Sequence, residues 1–248
     1  MLEMVGAIGL VAFLVSSVCI GVRCLLLARR TRGVPELAIG LGFVIGAVIG
    51  YVPETIVLST DVLPRALETR VLAVTQVAIR CAAVSVLVFT VRVFRPGEAW
   101  ARFAAGVLLV ALAASWLAFP YTRVYAQAAS DRLWYDVFAV ARTAPLVWGA
   151  IEAALYHRKL RRRLRLGLAD PLVVDRFRLW SIGLGAMSLL MASTILAPAV
   201  GVDPAAPGWV LLESLAGLVG AVALWLAFFP SRAYRASVAR RAQPAGLR

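Results

Sequence analysis

Residues 70–94 read RVLAVTQVAIRCAAVSVLVFTVRVF, an apolar run interrupted at its centre by Arg80. A helix needs about 20 predominantly apolar residues to cross ~30 Å of hydrocarbon, and this run is long enough. An arginine in the middle of such a helix costs roughly 2.5–3.5 kcal/mol on insertion scales, so it faces protein or a water-filled cavity rather than lipid. Gln76 stands four residues before Arg80 and shares its helix face.

The same apolar pattern recurs on both sides, giving seven expected spans at about 4–28, 34–57, 70–94, 102–122, 134–156, 179–199 and 208–230. The composition agrees: 62% of the 248 residues are hydrophobic and the mean hydropathy is +0.86, against about half apolar in a soluble domain. Continuous runs of this length point to helices, because barrel strands show alternating segments of about ten residues. The reading is an all-α polytopic membrane protein, a single seven-helix domain over 1–230 with a short basic tail at 231–248. The opening MLEM lacks the positive flank of a secretory signal, so the first span is expected to be retained.

Basic residues sort by loop. Arg29, Arg30 and Arg32 follow the first span, Arg92, Arg95 and Arg102 flank the turn after the third, and a dense group from Arg158 to Arg178 follows the fifth. Arg232, Arg235, Arg240, Arg241 and Arg248 lie in the tail, whereas the opposite loops carry only Arg65, Arg70, Arg123 and Arg132. The positive-inside rule puts the N-terminus outside and the C-terminus in the cytoplasm. The net charge of +13 is thus an orientation signal and an attraction to anionic headgroups rather than a nucleic-acid footprint. Lys159 is the only lysine among 26 basic residues, which with the Ala, Leu and Val richness suggests a high-GC bacterial genome and hence the inner membrane. Trp100, Trp180 and Trp225 fall near inner span ends and Trp116, Trp134 and Trp209 near outer ones, as aromatic belts require. Trp148 lies deep in its span, where it either packs or lines a cavity.

Local signals mark helix ends and packing faces. Pro35 and Glu36 suit the first turn of the second span, and Asp170-Pro171 caps the sixth helix before it enters the bilayer. Asp203-Pro204 suggests a similar start on the other side. Gly42, Gly46 and Gly50 form a small-residue stripe that admits close approach of another helix, and Gly217 with Ala221 forms a shorter one. Pro145 is expected to kink the fifth span near Arg142. IGLG recurs at 39–42 and 182–185, and VFRP at 93–96 resembles AFFP at 227–230. A duplication would pair spans one to three with five to seven; chance recurrence in an alphabet rich in Ala, Leu, Gly and Val is the alternative.

Counting ~1.5 Å per residue from the outer ends places Glu54 and Asp136 near the surface, Glu213 a turn deeper, and Arg142 and Arg80 near mid-depth. The expected site is an outward-facing polar pocket of Arg80, Gln76, Arg142, Glu213 and Asp136, with Glu213 as Arg80's partner and a small anion as ligand. A buried ion pair that only fixes helix register is the competing explanation. Glu152 is expected to pair locally, with a proton-relay role as its alternative.

Several chemistries are excluded by inventory. Lys159 lies in a loop, so no lysine in the last span can form a retinal Schiff base, and His157 is the only histidine, too few for a histidine-held zinc. His157 also stands at the cytoplasmic rim, away from any membrane serine. No phosphate-binding glycine loop appears. Aspartyl chemistry is not excluded by inventory, but the acids are scattered singly among the spans rather than paired at one depth. Cys19, Cys24 and Cys81 lie within spans and imply no disulfide framework. Neither catalysis, a cofactor nor a metal is expected.

The stretch YHRKLRRRLRLGLADPLVVDRFRLW at 156–180 extends the fifth helix to Gly167 and presents Arg158, Arg161, Arg162, Arg163 and Arg165 to an acidic partner or anionic lipid. It resembles segments of uncharacterised proteobacterial seven-helix membrane proteins, a likeness of about 25 residues that implies a multi-spanning fold and no activity. A receptor or sensor with an outward pocket and a reporting inner loop is the leading expectation. A small-solute carrier with a 3+1+3 arrangement and a non-catalytic interaction protein are the alternatives.

Overall fold

The computed structural model describes residues 2–60, 63–118, 129–203 and 206–242. Arg123, Pro204 and Arg248, and the outer end of the run at 102–122, lie outside them. Among the described residues the chain is all helix, without strands. α1 is Leu2–Thr31, α2 Val34–Val44, α3 Val52–Ser59, α4 Arg65–Phe94, α5 Ala99–Ala118, α6 Ala129–Arg165, α7 Pro171–Ala199, α8 Pro207–Phe228 and α9 Arg232–Ala242. Among the described residues six helices are long and apolar enough to cross a membrane: Val11–Thr31, Val34–Ser59, Arg65–Phe94, Ala99–Ala118, Arg132–Arg165 and Pro207–Phe228. The run expected to span at 179–199 belongs to α7, which is 29 residues long.

α2 and α3 are one rod joined by a π-helical segment, Ile45–Tyr51. Pro53 is the cause: it has no N–H, and its ring would strike the carbonyl of residue 49, one α-helical turn earlier. Widening the turn relieves both problems, and the Val52 N–H bonds the Ala47 carbonyl five residues back.

The helices close into a ring. α1 packs on the α2–α3 rod and on α8, the rod packs on α4, α4 on α6, α6 on α7, and α7 on α8. Two triplets of consecutive rods therefore meet along α4–α6 and α8–α1. α5 stands outside, leaning on α4 and α6, with Phe103, Val110 and Leu117 each about 70% or more exposed, the side chains of a lipid-facing helix. One core cluster joins α1, α2, α6, α7 and α8 around Ile20, Ile39, Ala153, Leu184 and Leu224. A second joins α4, α5 and α6 around Ile79, Ala83, Leu112, Phe138 and Ala141.

The glycine stripe forms the α2–α4 seam. A Cβ at Gly42 would meet the Ser85 Cβ at 2.5 Å, one at Gly46 the Ala82 Cβ at 2.8 Å, and one at Gly50 the Ile79 Cγ1 at 2.9 Å. Close backbone approach of this kind maximises dispersion contact where lipid and protein are equally apolar. α6 continues unbroken through the buried Pro145 and ends in a Schellman motif. There the Gly167 N–H bonds Leu164 and the Leu168 N–H bonds Arg163, with Gly167 at φ 71°. Asp170 then caps α7, its Oδ1 accepting from the Leu172 N–H at 2.7 Å.

Two expectations are corrected. Trp180 is not a belt residue: it is buried and stacks on the Phe89 ring, which reaches it from α4, at 4.8 Å. α8 starts at Pro207, with Ala206 rather than Asp203 before it. The basic tail expected from residue 231 carries α9, which docks on α7 with a 2.5 Å bond from the Tyr234 hydroxyl to Asp175. Burial first and the Asp175 carboxylate second push the Tyr234 phenol above its usual range, so it remains a donor at neutral pH.

Gly42→Ala is expected to destabilise the protein by about 1–3 kcal/mol through overpacking at the seam. Adding Ser85→Gly, which removes the clashing Cβ, should recover much of the loss. Unfolding by denaturant titration in micelles reads both, and strict additivity of the two changes would contradict the contact.

Candidate functional site

Arg80 is buried and its guanidinium is surrounded by acceptors. Nε donates to the Leu112 carbonyl at 3.1 Å, Nη1 to the Gln76 carbonyl at 3.1 Å and to Gln76 Oε1 at 2.9 Å, and Nη2 to Ser115 Oγ at 3.4 Å. The other end of the Gln76 amide donates to Glu54 Oε1 at 2.5 Å. The chain Glu54–Gln76–Arg80 thus runs from α3 through α4 to the backbone of α5. The Phe138 ring of α6 lies beneath the Arg80 Cζ at 4.0 Å, a cation–π contact in a desolvated setting.

Arg142 lies beside this network. Its Cζ lies 5.0 Å from the same Phe138 ring, and both arginines act on the Glu54 carboxylate electrostatically. Arg142 also reaches a cavity of about 90 Å³ enclosed by α1, the α2–α3 rod, α4, α6, α7 and α8. Tyr51 and Met191 line it near Arg142, and the Tyr51 hydroxyl donates to the Met191 sulfur at 3.3 Å. Ser17 and Ser85 are its other polar side chains; the remaining walls are small or apolar, including Ile39, Phe43, Leu184 and Leu224.

Of the expected site residues, Arg80 and Gln76 come together as foreseen and Arg142 lies near them. Glu213 does not: the Ser193 hydroxyl of α7 donates to its Oε1 at 2.5 Å, making it a link between α7 and α8. The pairing of Arg80 with Glu213 is therefore corrected to Arg80 with Gln76 and, through it, Glu54. Depth along the membrane normal had made Glu213 a candidate; helix rotation and neighbour order decided against it. Asp136 pairs with Arg132 one turn away at 3.6 Å on a half-exposed face. Ser115 and Phe138, absent from the expected site, carried faint signals at most, a lone hydroxyl in an Ala- and Leu-rich span and an aromatic ring among several.

A second polar cluster forms where the α4–α5 turn meets α6. Glu152 is buried and accepts from Arg95 Nε at 2.7 Å and from Trp148 Nε1 at 3.2 Å. Arg95 also bonds Glu98 at 3.3 Å and lies over the Trp100 ring, which packs 5.5 Å from Trp148. Local pairing of Glu152 is observed, but with the arginine of the α4–α5 turn rather than those after α6. His157 Nδ1 contacts the Val174 carbonyl at 2.9 Å, tying α6 to α7. Among the described residues no group of His, Cys, Asp and Glu is arranged to hold a metal, and Cys19, Cys24 and Cys81 are free thiols. Arg158, Arg161, Arg162, Arg163 and Arg165 are all exposed.

No known protein family matches the chain, and neither a curated protein nor a solved structure matches it.

Arg80→Gln should cost about 3 kcal/mol, since it removes the charged donor from buried acceptors on α4 and α5. Glu213→Gln retains an acceptor for Ser193 and should change stability by less than about 1 kcal/mol. Denaturant titration of the two variants separates the observed network from an Arg80–Glu213 pair, which would make both changes severe.

Proposed function

We propose that this protein is a receptor-like membrane protein that binds a small anionic ligand in the cavity among its helices. The observation that carries the reading is Arg142 on the wall of a largely apolar cavity of about 90 Å³. A guanidinium in a desolvated setting is a strong, directional donor to a carboxylate or similar anion. Arg80 belongs to the site as a positioning residue, because Phe138 lies against both guanidinium groups.

In this reading α7 is the sixth of seven spans, the N-terminus is outside and the C-terminus faces the cytoplasm of a bacterial cell; the arginine distribution supports the orientation. Arg142, Tyr51 and Met191 then lie toward the outer end of the cavity. The exposed arginines of the α6 extension, with Arg232, Arg235, Arg240 and Arg241 on α9, contact anionic headgroups or an acidic cytoplasmic partner. Reporter fusions after residues 32, 97, 167 and 242 test the orientation, and all four should report cytoplasm.

One observation favours a second reading, a small-solute carrier. The cavity lies where the triplets α1–α4 and α6–α8 face each other, the place where transporters built from two halves hold substrate. Thermal-shift screening of the wild type against a panel of small anions should find stabilisation of several degrees that Arg142→Gln abolishes. Flux of the stabilising anion into proteoliposomes assigns the carrier; binding without flux assigns the receptor; stabilisation by no anion rejects both.

A further inference from the structure

Beyond Tyr156 the α6–α7 hairpin projects past the end of α4. α4 stops at Phe94, whose ring lies 6.0 Å from that of Tyr156, and α6 continues to Arg165, a further ~14 Å along its axis. Arg158, Arg161, Arg162 and Arg165 follow at three- and four-residue steps, so at about 100° per residue they share one narrow arc of the helix. All four are exposed, and the buried Leu160 marks the opposite, inward face. The stripe ends on Leu166 and Leu168, which are 72% and 73% exposed in the Schellman turn.

Nothing in the fold neutralises this stripe. Asp170 and Asp175 are the acids of the hairpin, and α9 contains none. Asp170 caps α7, and Asp175 accepts from Tyr234 and pairs with Arg178. Among the described residues the four arginines of the stripe form no ion pair. Attraction to the chain's own membrane explains Arg158, which stands at headgroup level, but not the outer turns. The headgroup layer extends roughly 5–8 Å beyond the hydrocarbon. Arg165 and the two leucines stand outside it, where apolar side chains have no lipid to enter. A nucleic acid would meet the arginines but leave the leucines in water, and residues 158–176 hold no aromatic ring for a base to stack on.

We infer that the end of α6 and its turn form a docking surface for an acidic amphipathic helix of a cytoplasmic protein. Its carboxylates lie along Arg158, Arg161, Arg162 and Arg165, and its apolar residues cover Leu166 and Leu168. The inference rests on the receptor-like reading with a cytoplasmic inner loop and names the chemistry of the partner. Exposed ion pairs contribute little singly, so the charges set orientation and on-rate while the leucines supply the desolvated anchor. The His157–Val174 contact and the Asp170 cap hold the hairpin, so it presents both at low ordering cost.

The test is fluorescence anisotropy of a dye-labelled peptide about four turns long. It carries glutamates at i, i+3, i+4 and i+7 with two leucines at one end, and is titrated with the full chain in phosphatidylcholine nanodiscs. Both faces of a nanodisc are open, so the outcome is independent of orientation; the reporter fusions and the anion screen test the underlying reading separately. Saturable binding is expected, weakened about tenfold by Arg161→Gln with Arg165→Gln and about fivefold by Leu166→Ser with Leu168→Ser. Arg29→Gln with Arg30→Gln removes the same charge from exposed positions at the end of α1 and should weaken binding by less than about twofold. An equal loss from the α1 pair overturns the stripe in favour of diffuse attraction. Indifference to the leucine changes, or tighter binding of a single-stranded oligonucleotide, overturns a protein partner. Leucine-dependent co-sedimentation with phosphatidylglycerol liposomes, without peptide binding, gives the surface to a membrane instead. No saturable binding of peptide, oligonucleotide or liposome overturns the surface itself.

Discussion

A guanidinium buried among apolar helices must find every partner within the protein. Arg80 meets that requirement by drawing acceptors from three directions: the Gln76 amide on its own helix, the Leu112 carbonyl and Ser115 hydroxyl on α5, and the Phe138 ring on α6. Gln76 extends the chain to Glu54 on α3. α5 packs only on α4 and α6 and buries little of itself. The arginine thereby fastens a long apolar helix that lies outside the ring. The indole of Trp116, which donates to the Ala73 carbonyl at 3.4 Å, is a second fastening of the same helix. Hydrophobic burial cannot supply this attachment, because lipid tails solvate an apolar helix as well as its neighbours do.

Two kinds of residue create the cavity, and neither is polar. Pro53 forces the π-helical turn at Ile45–Tyr51, which rotates the residues beyond it relative to those before. The glycines at 42, 46 and 50 let this rod approach α4 so closely that only hydrogens fit between them. The rod cannot follow a smooth α-helical path along its neighbours, and a slot remains beside the widened turn. Tyr51, at the end of that turn, holds one end of the slot to α7 through Met191. Arg142 lines the same slot from α6.

The inner ends of the helices are tied by a different set of contacts. Glu152 is the centre there, accepting from Arg95 and Trp148 and so joining the α4–α5 turn to α6. The Schellman end of α6, the Asp170 cap of α7, the His157–Val174 contact and the Tyr234–Asp175 bond fix the α6–α7 turn and α9 in sequence. The arginines of the α6 extension and of α9 are left exposed on these rigid supports, which is the arrangement a charged surface needs to act on something outside the fold.

The sequence by itself determined the helical class, the approximate helix limits, the glycine seam, the end of α6 at Gly167 and the Asp170 cap. Each of these follows from a run of neighbours along the chain: apolar length, small residues every fourth position, or a capping side chain beside a proline. It also marked Arg80 as a residue that must face protein, since the cost of lipid exposure depends on the charge alone. Only the tertiary structure decided which partner answers it. Glu213 and Glu54 both lie on the outer side by residue count, but residue count gives depth and not the rotation of a helix or the order of neighbours around a ring. The same missing coordinate hid the peripheral place of α5, the burial of Trp180 and the apolar slot beside Arg142. The slot is an absence of atoms between six rods, and its shape depends on how all of them pack at once.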